Sequence, residues 1–135
     1  MLPDIEVVVV AHLRNISAVT DLTTRIGTRT PGNLAGQFAK VTLIDDDQAP
    51  NSPALHLVRA LVQIDCYGSS NRDSAHAEAS LLARTIREAV HAMPAATHTG
   101  AVVTAARARS RRLPDTDLEP ARERYVLTCD ITLHP

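Results

Sequence analysis

The chain has 135 residues, 44% of them hydrophobic and 21% charged, with a formal net charge of -1. One domain, burying roughly two-thirds of its unfolded surface, is the expectation for this length. Near-neutral charge excludes a global basic field for nucleic acid or anionic lipid, and Phe38, Tyr67 and Tyr125 are too few for a base-stacking platform, so the core is aliphatic.

Pro3 and Asp4 mark a helix start, proline in the first turn and an acid at the positive end of the dipole. Ile5, Val9, Leu13 and Ile16 keep helical spacing, so 3–15 reads as a helix, with a strand as the alternative because Val7–Val10 is β-prone. The apolar run Val7–Ala11 is too short to span a bilayer. No secretory pattern opens the chain, so a cytoplasm, or a particle assembled in one, is the expected location. Ser17 can cap a short second helix to about Thr24 with Val19 and Leu22 inward. Gly27 and Pro31-Gly32 break the chain.

Phe38–Ile44 reads as a short strand. Asp45-Asp46-Asp47 then opens a proline-stiffened surface loop to about Leu55. The next segment alternates cleanly. Val58, Ala60, Val62, Ile64 and Cys66 share one face, while Leu57, Arg59, Leu61, Gln63, Asp65 and Tyr67 share the other. After Gly68 and a polar turn the period becomes helical, with Ala75, Ala79, Leu82, Ile86, Val90 and Met93 as one stripe. Ser70 with Asp73 resembles a capping box, and Pro94 ends a helix of about twenty residues, roughly 30 Å long. Ala101–Arg109 reads as a strand with Arg107 and Arg109 on the face of Ala101, Val103 and Ala105. Ser110–Pro120 is a second loop. The last strand, 125–133, turns Tyr125, Leu127, Cys129, Ile131 and Leu133 inward. The fold class is therefore α+β, a mostly antiparallel or mixed sheet covered on one face by a long amphipathic helix, with an N-terminal helix. Residues 1–135 form one domain.

Catalytic signatures are missing. Ser69 and Ser70 lie at a strand-to-helix turn, but the glycines of a nucleophile elbow do not flank them, and helix capping accounts for both. Gly68 alone does not make a phosphate loop. The six histidines show no metal-ligand spacing, and Asp45–Asp47 lacks the pattern of a calcium loop. Cys66 and Cys129 read as buried thiols. No cofactor, metal or enzymatic activity is expected.

The charged clusters read as surface or as protein interface, and the basic one also as a stretch lying near DNA phosphates. Asp45, Asp46 and Asp47 form an acidic patch. Arg107, Arg109, Arg111 and Arg112 form a basic one, with Asp115, Asp117 and Glu119 in the same hairpin. Arg59 and Gln63 stand on the outer face of the central strand beside Leu57 and Leu61, a half-apolar face that can meet another subunit. An acidic patch and a basic patch on one small domain suit head-to-tail packing into a ring.

The order of elements resembles that of the tail terminators (tail-completion or tail-to-head joining proteins) of long-tailed siphophages. The resemblance rests on the two N-terminal helices, Arg25-Ile26-Gly27 with its proline turn, and the strand at 38–44. Val62-Gln63-Ile64-Asp65-Cys66-Tyr67-Gly68 before the alanine-rich helix 73–93 carries most of it, and Arg124–Ile131 closes it. It implies a virion protein with no catalytic residues to carry over. Copies would form a hexameric ring that caps the tail tube, stops its polymerisation and meets the head connector, with DNA passing through the lumen and no membrane involved. The partners implied are further copies of itself, the major tail tube protein and the head connector or stopper protein. A stopper or head-completion protein is the nearest alternative. A small α+β ligand-binding module or enzyme, and a nucleic-acid regulator, are the alternatives from other classes.

Overall fold

The computed structural model describes residues 2–32, 35–48, 57–118 and 121–135, with the backbone alone at 47 and 48. Helix α1 runs Ile5–Arg14. Asp4 caps it, its carboxylate accepting the Glu6 N–H at 2.9 Å. Helix α2 is only Ser17–Thr20, and its cap is Ile16, so Ser17 is its first residue and not its cap. Where a break is expected at Gly27, Ile26–Gly27 forms a two-residue strand, β1. Strand β2 spans Phe38–Gln48, β3 Val58–Tyr67, β4 Val102–Arg112 and β5 Arg124–His134. Helix α3 is Ala75–His91, 17 residues and so about 26 Å long, shorter than the spacing predicts. Pro94 lies beyond it, in a 3₁₀ turn at Met93–Ala95.

The five strands form one mixed sheet in the order β1-β2-β3-β5-β4. Only β1 and β2 are parallel; the other three pairings are antiparallel. Both long helices lie on the same face, α3 over β3, β5 and β4 and α1 over β1 and β2. The whole predicted stripe of α3 is buried there, against Val62, Ile64, Cys66, Leu127, Cys129, Ile131 and Leu133. Among the described residues no helix covers the opposite, open face.

Two β-bulges decide which residues reach the open face. One, between Leu43 and Asp45, leaves Ile44 without a partner and sets Asp45 opposite Leu61. The acidic run therefore continues β2 instead of opening a loop. Pairing with β3 supplies its hydrogen bonds and overrides the weak strand propensity of aspartate. The other bulge, between Val103 and Ala105, reverses the alternation of β4. Val103 is buried with Ala108, and Arg107 and Arg109 turn away from Val103, not alongside it as simple alternation predicts. Strand β4 also runs on to Arg112, so the second loop starts later than Ser110.

Gly68 makes the turn from β3 to α3 workable. A Cβ there would lie 2.1 Å from the Ala75 carbonyl oxygen, so only glycine lets the helix begin this close to the strand. The expected Ser70–Asp73 box does not form. Ser70 Oγ donates to the Ala35 carbonyl instead, and the Asn71 side chain accepts the Asp73 N–H. Glu78 collects Ser69 Oγ at 2.6 Å and Ser74 Oγ at 3.0 Å, tying turn and helix together.

Candidate functional site

The open face is ruled into rows by the ladder. One row reads Asp45, Leu61, Asp130, Arg107; the next reads Thr42, Gln63, Thr128, Arg109; a third reads Lys40, Asp65, Val126, Arg111. Six of the residues expected at an interface thus share one surface: Asp45, Arg59, Gln63, Arg107, Arg109 and Arg111. Arg59 meets Asp130 at 3.5 Å across the strands. Gln63 donates to Asp65 at 2.9 Å. Arg107, Arg109 and Arg111 are exposed, and among the described residues none of the three forms an ion pair or a side-chain hydrogen bond. They stand two residues apart on β4, the sheet's outermost strand, so their charges line one margin.

Other expected residues lie elsewhere. Asp46 pairs with Ala60, whose side chain faces the core, and is nevertheless exposed. Asp47 is set opposite Arg59 by the ladder, but its side chain is outside the described residues, as is Glu119 altogether. Arg112 turns from the open face and forms a two-pronged pair with Glu123, at 2.9 and 3.2 Å, which raises its pKa. Asp117 is exposed at the hairpin tip, its N–H held by Asp115.

Asp115 is the largest departure. Expected at the surface of the second loop, it is buried and accepts the Tyr67 hydroxyl at 2.7 Å. Its backbone bridges to Arg122 in both directions, and Arg124 stands 3.6 Å from its carboxylate. Burial alone would raise its pKa, but the Tyr67 hydroxyl, the Asp117 N–H and the Arg124 charge outweigh that and hold it low. Burial, reinforced by the Asp115 carboxylate, drives the Tyr67 hydroxyl upward. The hairpin end therefore folds over one end of the open face, covering Tyr67 and the Phe38 ring stacked on it at 4.3 Å. Period-two alternation puts Tyr67 and Asp65 outward and gives no sign of this cover. Pro114-Asp115 was the available signal, a turn former next to a residue that caps its own turn.

Three apolar side chains complete the open side. Ile44 is 52% exposed and Leu113 is 40% exposed, while Val126 is buried on the sheet itself. Leu113 and Val126, with the polar Gln63, Ser110, Thr128, Arg109 and Arg111, line a groove of about 480 Å³. A second cavity, about 380 Å³, lies at the turn after β3 among Ser69, Ser70, Arg72 and Arg122. Ser69 already donates to Glu78, and the four donors on that carboxylate, against the effect of burial, hold its pKa low and make it a weak general base. Among the described residues no group of three or more His, Cys, Asp or Glu is arranged to hold a metal ion. No described helix is long and apolar enough to cross a membrane.

With this architecture in view, likeness to known folds becomes informative. This chain shares its fold with a chain of a gene transfer agent virion. That solved structure, described as "Virion of native gene transfer agent (GTA) particle", superposes with a TM-score of 0.68 over 97% of this chain and 95% of that one, at 16% identity. No protein-family model and no curated protein matches the sequence. The likeness is one of fold and runs over nearly the whole of both chains.

Proposed function

We propose that this protein is a structural subunit of a phage-like virion and acts as its tail terminator. The observation that carries the reading is the end-to-end fold shared with a gene transfer agent virion chain. Six copies form a ring that caps the tail tube, ends its polymerisation and joins the tail to the head connector. The protein is assembled in the host cytoplasm and resides at the head-tail junction. A sheet with both long helices on one face supplies a rigid wedge whose other face is free for contact. The net charge of -1 suits a lumen through which DNA moves without being held. The protein performs no catalysis in this role.

Electron microscopy of lysates from the parent phage with this gene disrupted tests the assignment. DNA-filled heads beside detached tails of uneven, often excessive length are expected. Normal-length free tails with emptied heads would make it a stopper. Intact virions would remove both connector roles.

A further inference from the structure

We propose that neighbouring copies join through a knob and a groove on the open face, the Ile44 bulge of one copy seating between Arg109 and Arg111 of the next. This deepens the ring reading and takes its partner, a second copy, from it.

The knob is built from the bulge in β2. Ile44 is expelled from the ladder and is 52% exposed, with Asp45 and Asp46 directly following it, both exposed. It is held in place, because the Leu43 N–H donates to the Glu6 carboxylate on α1 at 3.0 Å. On the open face Asp45 is the carboxylate beside Ile44, Asp46 pointing to the opposite face with Ala60, so the knob is an aliphatic anchor with one charged flank. The groove is its complement. Leu113 and Val126 are the apolar residues of its otherwise polar lining, and Arg109 and Arg111, also lining it, form no ion pair among the described residues. Guanidinium groups there match a carboxylate in charge and in planar geometry.

The two halves cannot satisfy each other within one molecule. Asp45 and Arg107 occupy one ladder row with Leu61 and Asp130 between them, three strand spacings, or about 14 Å, apart. That exceeds the screening length of about 8 Å at physiological salt. Net charge is almost nil while the two margins carry opposite signs, so the complement is another copy. With the bulge offered to one neighbour and the groove to another, the contact is heterologous, the kind that closes a ring; a reciprocal face-to-face dimer, each bulge filling the other's groove, would overturn it.

Sedimentation velocity of the purified full chain at about 0.1 M salt tests the contact, with circular dichroism to confirm folding. Wild type self-associates. Arg109→Glu with Arg111→Glu, and separately Asp45→Arg, each weaken association at least about tenfold, and the three changes together restore it. As a second readout, a mixture of Ile44→Cys and Leu113→Cys proteins forms disulfide-linked pairs on mild oxidation far faster than either alone, the native Cys66 and Cys129 being buried. Wild type that stays monomeric, one-sided charge reversals that associate normally, a combined variant that stays apart, or a mixture that links no faster than its components would each overturn the contact. Its failure leaves the terminator assignment to the gene-disruption micrographs. Intact virions there, with charge reversal still controlling association, would sink the assignment and leave the contact.

Discussion

Gly68 shows how much one missing methyl group decides. Gly68→Ala puts a Cβ on the Ala75 carbonyl, and backbone cannot yield as a flexible side chain does. We expect a loss of about 3 kcal/mol or more in denaturant-induced unfolding, well above the usual effect of glycine-to-alanine in a turn. His12 sets the acid side of stability. It is buried, its ring Nε2 donates to the Ala89 carbonyl at 2.6 Å, and its ring stands edge-on to His98. Burial lowers its pKa from 6.5, and the neighbouring His98 adds to this, against the raising effect of the Ala89 bond. The unfolded chain therefore takes up a proton before the folded one does. Stability is undiminished above pH 6.5 and falls as pH drops below it. A second fall follows at lower pH as the depressed Asp115 and Glu78 carboxylates are protonated. His12→Gln should abolish the first fall and leave the second, a difference visible in melting temperature measured from pH 7 to pH 3.

At the scale of elements, β4 is the strand most open to unwanted pairing. It is a sheet edge eleven residues long. Its Ala108 N–H is not left free, because His91 at the end of α3 accepts it on Nε2 at 3.1 Å. His91→Ala should leave folding nearly intact, within about 1 kcal/mol, yet raise the rate of aggregation on storage. An unchanged aggregation rate would mean that the arginine row alone guards the edge.

Strand β3, the stripe of α3 and β5 were legible because each buries one face against the same core, and burial imprints a period. The faces of β2 and β4 beyond their bulges were not. A bulge adds one residue through backbone pairing with a neighbour, and the side chains of Leu43-Ile44-Asp45 or Val103-Thr104-Ala105 do not mark it. The short β1 was hidden for a like reason: two residues carry no period, and Arg14 secures β1 from outside by donating to the Ile26 carbonyl. Of the interface residues, exposure and sign could be read for Arg107, Arg109 and Arg111. The burial of Asp115 could not, since its partners Tyr67 and Arg124 come from distant strands.

At the scale of the whole molecule, charge is segregated more than it is accumulated. The total of -1 conceals a basic margin on β4 and an acidic one on β2. Self-association driven by these margins should weaken steadily as salt rises from about 0.1 M to about 1 M, where the screening length shrinks to about 3 Å. Association that holds or strengthens in that range would point to the apolar Ile44 and Leu113 as the dominant force.

Because the two margins sit on opposite sides of each copy, any open string of subunits ends with one unfilled groove and one unseated bulge. Adding a copy moves these loose ends apart without removing them. Joining the ends removes both at once, and that last step takes place between groups already tethered at high effective concentration. Growth is thus reluctant at every stage but the final one. Native mass spectrometry should find single subunits and finished assemblies, with few pairs and triplets between them.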